Sequence, residues 1–207
     1  MERQRGTTII LVIALIIAVI SLGVAFAAFS TTLTINGSAT VQSSQWKVFF
    51  TTASDGSEPS SATSLPAASI TKTGTAASTS ASLTSTVFTW AATFKSPGDT
   101  IKYKFYVRNT GNYTAKVKTV TLGNISCSTD PKNACNKLSY GLYTDSAGNT
   151  PVAANQTIAA GSYAEYYLIA TLDSSYGGTD GSGLVGSNVT TSTITATVEY
   201  EQSGSSN

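Results

Sequence analysis

An uncharged apolar run and an alternating, β-prone run meet without a spacer near the N-terminus of this chain, and that junction limits what the polypeptide can become. Residues 7–28, TTIILVIALIIAVISLGVAFAA, carry no charge and follow Arg3 and Arg5. About 20 such residues are enough to cross a bilayer as a helix. The basic flank, the loosened end at Ser21 and Gly23, and the small-residue pattern Ala25-Phe26-Ala27 are the marks of a secretory signal peptide. Residues 30–41, STTLTINGSATV, then alternate, with Leu33, Ile35, Ala39 and Val41 on one face and Thr32 and Thr34 on the other. This pattern predicts a leader over 1–27 cleaved after Ala27, an N-terminal strand over 28–41 and a β-domain over 42–207. A retained membrane anchor is the competing reading of the apolar run.

The rest of the chain alternates with period two. Thr100–Asn109 sets Ile101, Tyr103, Phe105 and Val107 against Lys102, Lys104, Tyr106 and Arg108, and the turn Ser96-Pro97-Gly98-Asp99 precedes it. Further strands are predicted over 45–52 with both faces covered, 87–94, 115–122 with a bulge near Thr119, 138–144, 163–172 and 191–200, with a short segment at 156–158. Residues 52–85, rich in Ser, Thr, Ala and Pro, read as an exposed excursion with short edge strands near 69–72 and 81–83 and room for a short helix. About eight strands joined by Gly, Pro, Asn and Asp turns predict an all-β fold, an antiparallel jelly roll or β-sandwich behind the N-terminal hydrophobic segment.

Charge narrows the function classes. Only 11% of the 207 residues are charged, and the chain beyond Ala27 holds ten basic and ten acidic residues. Near-neutral surfaces tend to associate. All ten basic residues lie between Lys47 and Lys137, while Asp145, Glu165, Asp173, Asp180, Glu199 and Glu201 follow. Either the two halves interleave in one fold, or the asymmetry serves head-to-tail contact between subunits. No basic run carries interleaved aromatics, so nucleic acid is not an expected partner. The sequence has no histidine, which removes histidine triads, histidine metal sites and imidazole proton shuttles. No P-loop, Gly-x-Ser-x-Gly or dinucleotide fingerprint occurs, and no enzyme activity or cofactor is expected.

Cys127 and Cys135, eight apart across Asp130-Pro131, predict a disulfide that closes a short loop, with free thiols as the alternative. The glycine-rich loop from Asp173 to Gly183 brings Asp173 and Asp180 as weak calcium candidates against a plain loop. Glu199 and Glu201 read as a solvated strand face. Asn36, Asn112, Asn124, Asn155 and Asn188 each begin an Asn-x-Ser/Thr sequon and are candidate N-glycosylation sites.

Three segments carry a family resemblance. The leader ending Gly23-Val-Ala-Phe-Ala27 with the following Ala28–Ala39 run, then Trp46-Lys-Val-Phe-Phe50, then Ser96-Pro-Gly-Asp-Thr100 with Val107-Arg-Asn-Thr-Gly111 and Ala115-Lys-Val117, together resemble the TasA/camelysin family. The resemblance implies a secreted jelly-roll subunit, exported through a dedicated signal peptidase, whose mature N-terminal strand is donated to the next subunit, as in similar archaeal bundling pili and threads. Some relatives in that family have been called metalloproteases, which a chain without histidine does not match. A type IV pilin leader with Gly6 as cleavage glycine is a weaker fit, since Leu11 stands where pilins usually carry Glu. The expected function is therefore an extracellular filament subunit whose partners are copies of itself and which meets a membrane only through an uncleaved leader. Leu33, Ile35, Ala39 and Val41 are the expected donor-strand anchors. The alternative is a monomeric secreted or anchored binding module with that strand folded into its own sheet.

Overall fold

The computed structural model describes residues 46–176 and 188–203. Among them run β1 (Val48–Thr51), β2 (Thr63–Ser64), β3 (Ile70–Thr73), β4 (Ala77–Leu83), β5 (Val87–Phe94), β6 (Thr100–Asn109), β7 (Ala115–Leu122), β8 (Cys127–Thr129), β9 (Leu138–Tyr143), β10 (Thr157–Ile158), β11 (Tyr163–Leu172), β12 (Val189–Thr191) and β13 (Ile194–Gln202). They form two antiparallel sheets of five and eight strands. In the first, β1 and β3 share one edge of β6, followed by β11 and β9. In the second, β4 lies on one side of β5, while β12 and β13 lie end to end on the other. Beyond them come β8 and β7, with β10 outermost. The fold is the all-β sandwich that the alternation predicts.

The alternation in β6 is realised residue for residue: Ile101, Tyr103, Phe105 and Val107 are buried, and Lys102, Lys104, Tyr106 and Arg108 face outward. Phe88 of β5 stacks on Phe105 across the sheets with centroids 5.0 Å apart, and Trp90 meets Tyr103 at 6.0 Å. These rings dominate the interior because each buries roughly 150–250 Å². The predicted bulge appears where Glu199 pairs with Thr119 but Tyr200 pairs with Val117, leaving Lys118 as the extra residue. Phe49, on the outer face of β1, is buried as well. It lies beside Lys47, whose ammonium is 5.8 Å from the ring centroid, and opposite Arg108, which donates to the Gly56 carbonyl at 3.0 Å.

Three expectations are corrected. The excursion over 52–85 is part of the fold: β4 runs seven residues along β5, and Leu65, Ala76 and Leu83 are buried. Its Ala and Ser residues fill a pleated edge without giving the strong β-branched signal that marks a strand. The expected short helix there is a 3₁₀ turn over Ala67–Ser69. The final strand is broken, with β12 and β13 separated at Ser192-Thr193. Within the short loop between the two cysteines and just beyond it, Pro131–Lys137 forms a 3₁₀ helix, and Asp130 Oδ1 accepts the Cys135 N–H at 2.7 Å.

Cys127 and Cys135 are disulfide-bonded. Closing so short a loop removes about 2–3 kcal/mol of unfolded-state entropy on the chain-entropy model. The variant with serine at both positions is therefore expected to unfold at lower urea by that free energy, measured against the oxidised chain.

The charge asymmetry resolves by interleaving. Lys104 pairs with Glu165 (2.8 Å), Lys116 with Glu201 (2.7 Å) and Lys118 with Glu199 (3.7 Å), each linking the basic half to the acidic half across neighbouring antiparallel strands. The fourth pair among the described residues, Lys47 with Glu58 at 3.4 Å, lies within the basic half.

Candidate assembly surface

A sandwich has two sides on which the edge strands of its sheets face one another, and each side must be closed or left as a template for pairing. On the β1 side the chain itself closes the gap: Phe50 N–H donates to the Ser85 carbonyl (2.8 Å) and Leu65 N–H to the Ala81 carbonyl (3.0 Å). On the other side β9 faces β7 and β8. One end there is closed by the 150–158 connection, in which Val152 N–H reaches the Leu142 carbonyl and Asn155 N–H the Val117 carbonyl, both at 2.8 Å. The other end is closed by β8 and the disulfide-tied 3₁₀ helix that leads into β9. Between the two closures, the outer edges of β7 over 118–122 and of β9 from Leu138 to Tyr140 have no strand partner among the described residues.

The side chains along these edges are apolar and only partly covered by the described residues. Val120 pairs with Val198 and Leu122 with Ala196, and both partners are buried. Opposed residues on paired strands point to the same face, so Leu122 points toward the core. It is nevertheless 38% exposed. Val120, Ile125 and Tyr140 are likewise only partly buried against the core. Tyr140, from β9, forms the floor: its ring meets Trp90 edge-on at 5.2 Å, and its hydroxyl donates to the Gly123 carbonyl at the end of β7. Burial pushes the Tyr140 phenol up to about 12, so the donor stays protonated at any ordinary pH. An extended segment lying along β7 would supply backbone partners to its open edge and alternate apolar side chains to Val120 and Leu122.

The other sequence-predicted residues fall elsewhere. Leu33, Ile35, Asn36, Ala39 and Val41, together with the 1–27 leader, lie outside the described residues, as does Asp180. Asp173 Oδ1 accepts both the Ser175 N–H and its hydroxyl at 2.8 Å, an arrangement that ties the carboxylate into its own turn. Those donors hold its pKa below the usual carboxylate value. Among the described residues no group of three or more acidic or Cys side chains converges as a metal site would require. Asn112, Asn124, Asn155 and Asn188 are all exposed. Glu199 and Glu201 are spent on Lys118 and Lys116.

Two polar residues emerge that the sequence did not single out as buried. Asp99 and Asn109, bracketing β6, are 2% and 0% exposed. Their sequence signal was present in the Pro-Gly-Asp turn and the Asn-x-Gly turn, which mark side chains that bond to nearby backbone.

The geometry defines a disulfide-tied antiparallel β-sandwich in which, among the described residues, the side between β7 and β9 has no strand closing it. Comparison with protein-family models, with curated proteins and with solved structures finds no match.

Proposed function

We propose that this protein is the structural subunit of an extracellular filament and polymerises by strand addition. Residues 28–41 of one copy occupy the gap between β7 and β9 of the next. The observation that carries this reading is Leu122, a core-facing leucine left 38% exposed beside a strand edge that has no partner among the described residues. The pattern of Leu33, Ile35, Ala39 and Val41 supplies a complementary apolar row, and the resemblance to the TasA/camelysin family points the same way. Once seated, such a strand leaves slowly, because release exposes both its apolar face and the unpaired edge to water.

A second reading is favoured by a distance. From β1 to β9 is three strand spacings, about 14 Å, and the six residues 42–47 reach about 20–25 Å when extended. The strand of the same copy is therefore a competing occupant of the gap, and a self-closed monomer is the rival product.

Two variants decide between them. Removing 28–41 is expected to abolish filaments in electron micrographs of exported protein. Leu122→Lys in the full chain retains the donor and an exposed position but places a charge in the receptor. It is expected to lower the assembled fraction about tenfold, the effect of losing roughly 1.4 kcal/mol at the joint, with the thermal midpoint of the monomer unchanged. Undiminished filaments from both variants would reject strand addition.

A further inference from the structure

The described residues leave four large apolar side chains exposed, and three of them stand at one end of the sandwich. Trp46 (39%), Tyr113 (42%) and Tyr163 (52%) come from three separate segments that meet around Asn109. The Lys47 carbonyl, next to Trp46, accepts the Thr110 N–H at 2.9 Å. The Tyr113 carbonyl accepts Asn109 Nδ2 at 2.7 Å. The Ser162 carbonyl, next to Tyr163, accepts the Asn109 N–H at 2.9 Å, and the Tyr163 ring packs edge-on against Tyr106 with centroids 5.8 Å apart. Exposed Trp and Tyr grouped in this way are what interface cores are made from, because each carries a large rigid apolar area and few rotatable bonds.

The occupant follows from chain length, given the strand-addition reading on which this step rests. Val48 begins β1 at this same end, paired with Asn109. If residues 28–41 sit in another copy, only 42–47 connect that copy to Val48, a reach of about 20–25 Å at full extension. That is no wider than a small β-sandwich, so the receiving copy has to lie directly against the end from which the link departs. We propose that the end carrying Trp46, Tyr113 and Tyr163 is the contact surface between consecutive copies of this chain, and that the three aromatics are buried against the receiving subunit in the filament.

The chain offers its own reporter. It has two tryptophans, and Trp90 is buried in the core, so acrylamide quenching reads Trp46. Assembled and unassembled fractions of the same full chain, separated by sedimentation, are compared. The quenching constant is expected to fall about threefold or more on assembly, as a half-exposed indole enters an interface core. Tyr113→Ser with Tyr163→Ser, both at exposed positions, should lower the assembled fraction about tenfold, the effect of removing one to two aromatic anchors, while the monomer's thermal midpoint falls by only a few degrees through loss of the Tyr106–Tyr163 contact. Filaments in which Trp46 quenches as freely as in the monomer, or which form undiminished from the Tyr double variant, would overturn this contact and leave strand addition standing. A full chain that yields only monomers with 28–41 protected from protease would overturn both.

Discussion

Asn109→Asp is expected to be the most damaging single-atom change in the domain, costing about 3–5 kcal/mol at neutral pH, the range for stranding a buried charge. Asn109 is fully buried, and its amide nitrogen donates to the carbonyls of Tyr113 (2.7 Å), Ile158 (2.9 Å) and Ala159 (3.2 Å), while Oδ1 accepts the Gly111 N–H at 3.1 Å. One side chain thus holds the β6–β7 turn to the end of β10 and the β10–β11 connection, and turn and connection each cross from one sheet to the other. A carboxylate there keeps the Gly111 contact and turns an anionic oxygen toward three carbonyls. At about 2–4 °C per kcal/mol for a chain of this size, the thermal midpoint should drop about 10 °C or more.

The variant's pH dependence gives a second readout with a defined sign. The introduced carboxyl has its folded pKa raised above the unfolded value of about 3.9, because the charged form is the one the site rejects. The protonated form, which can donate one hydrogen bond, is accordingly favoured by folding. The stability deficit relative to the natural chain should be smallest below the unfolded value of about 3.9, grow as the pH rises from there, and be fully developed above the raised folded pKa. A deficit that stays constant between pH 3 and pH 7 would show that the amide donor is not what matters at this position.

The fold was legible in the sequence wherever strands carry large side chains on one face. β6 and β11 appear at the predicted boundaries because one face is lined by Ile101, Tyr103, Phe105 and Val107 in the first and by Tyr166, Leu168, Ala170 and Leu172 in the second. β4 was harder to read, since Ala and Ser at its positions report neither burial nor face, and its place is set by pairing with β5 across sequence positions that local pattern does not link. The spacing of two cysteines in a chain read as exported predicts the disulfide, with free thiols as the alternative, and Cys127 and Cys135 are bonded. The exposure of Leu122 among the described residues was not readable at all: nothing in Ala115-Lys-Val-Lys-Thr-Val-Thr-Leu122 distinguishes a core-facing leucine that is covered from one that is open, because that depends on which strand lies opposite. The three exposed aromatics likewise come from positions far apart in the chain and meet only through the contacts of Asn109. What the sequence did hold was the pair of polar turns bracketing β6. Asp99 and Asn109, the polar residues of those turns, have structural tasks in this domain.

Asp99→Asn is expected to cost about 2–3 kcal/mol at pH 7, and most of the cost should disappear in acid. Asp99 Oδ2 accepts the N–H groups of Lys95 (2.8 Å) and Ser96 (3.0 Å) and the Thr75 hydroxyl (2.8 Å), and Oδ1 accepts the Thr75 N–H at 2.8 Å. The carboxylate thereby fastens the β3–β4 turn to the β5–β6 turn. Gly74, at φ +74°, permits the approach: a Cβ there would come within 2.1 Å of Asp99 Oδ1. Burial pushes this carboxyl up, but the donors from Lys95, Thr75 and Ser96 together outweigh burial, and its pKa is lowered. An amide in its place sets an NH₂ against at least one of these N–H donors, leaving buried donors unpaired at about 1–3 kcal/mol each. Because the folded pKa lies below the unfolded value of about 3.9, the contribution of Asp99 is present above that pH and is lost as the pH falls through the lowered folded pKa. Urea unfolding of the two proteins should therefore differ most at neutral pH and converge as the pH falls below the lowered folded pKa. If the amide variant is as stable as the natural chain at pH 7, the four contacts hold the turns together no better than water would. If the gap persists undiminished in acid, the loss comes from altered packing around Gly74 rather than from the charge.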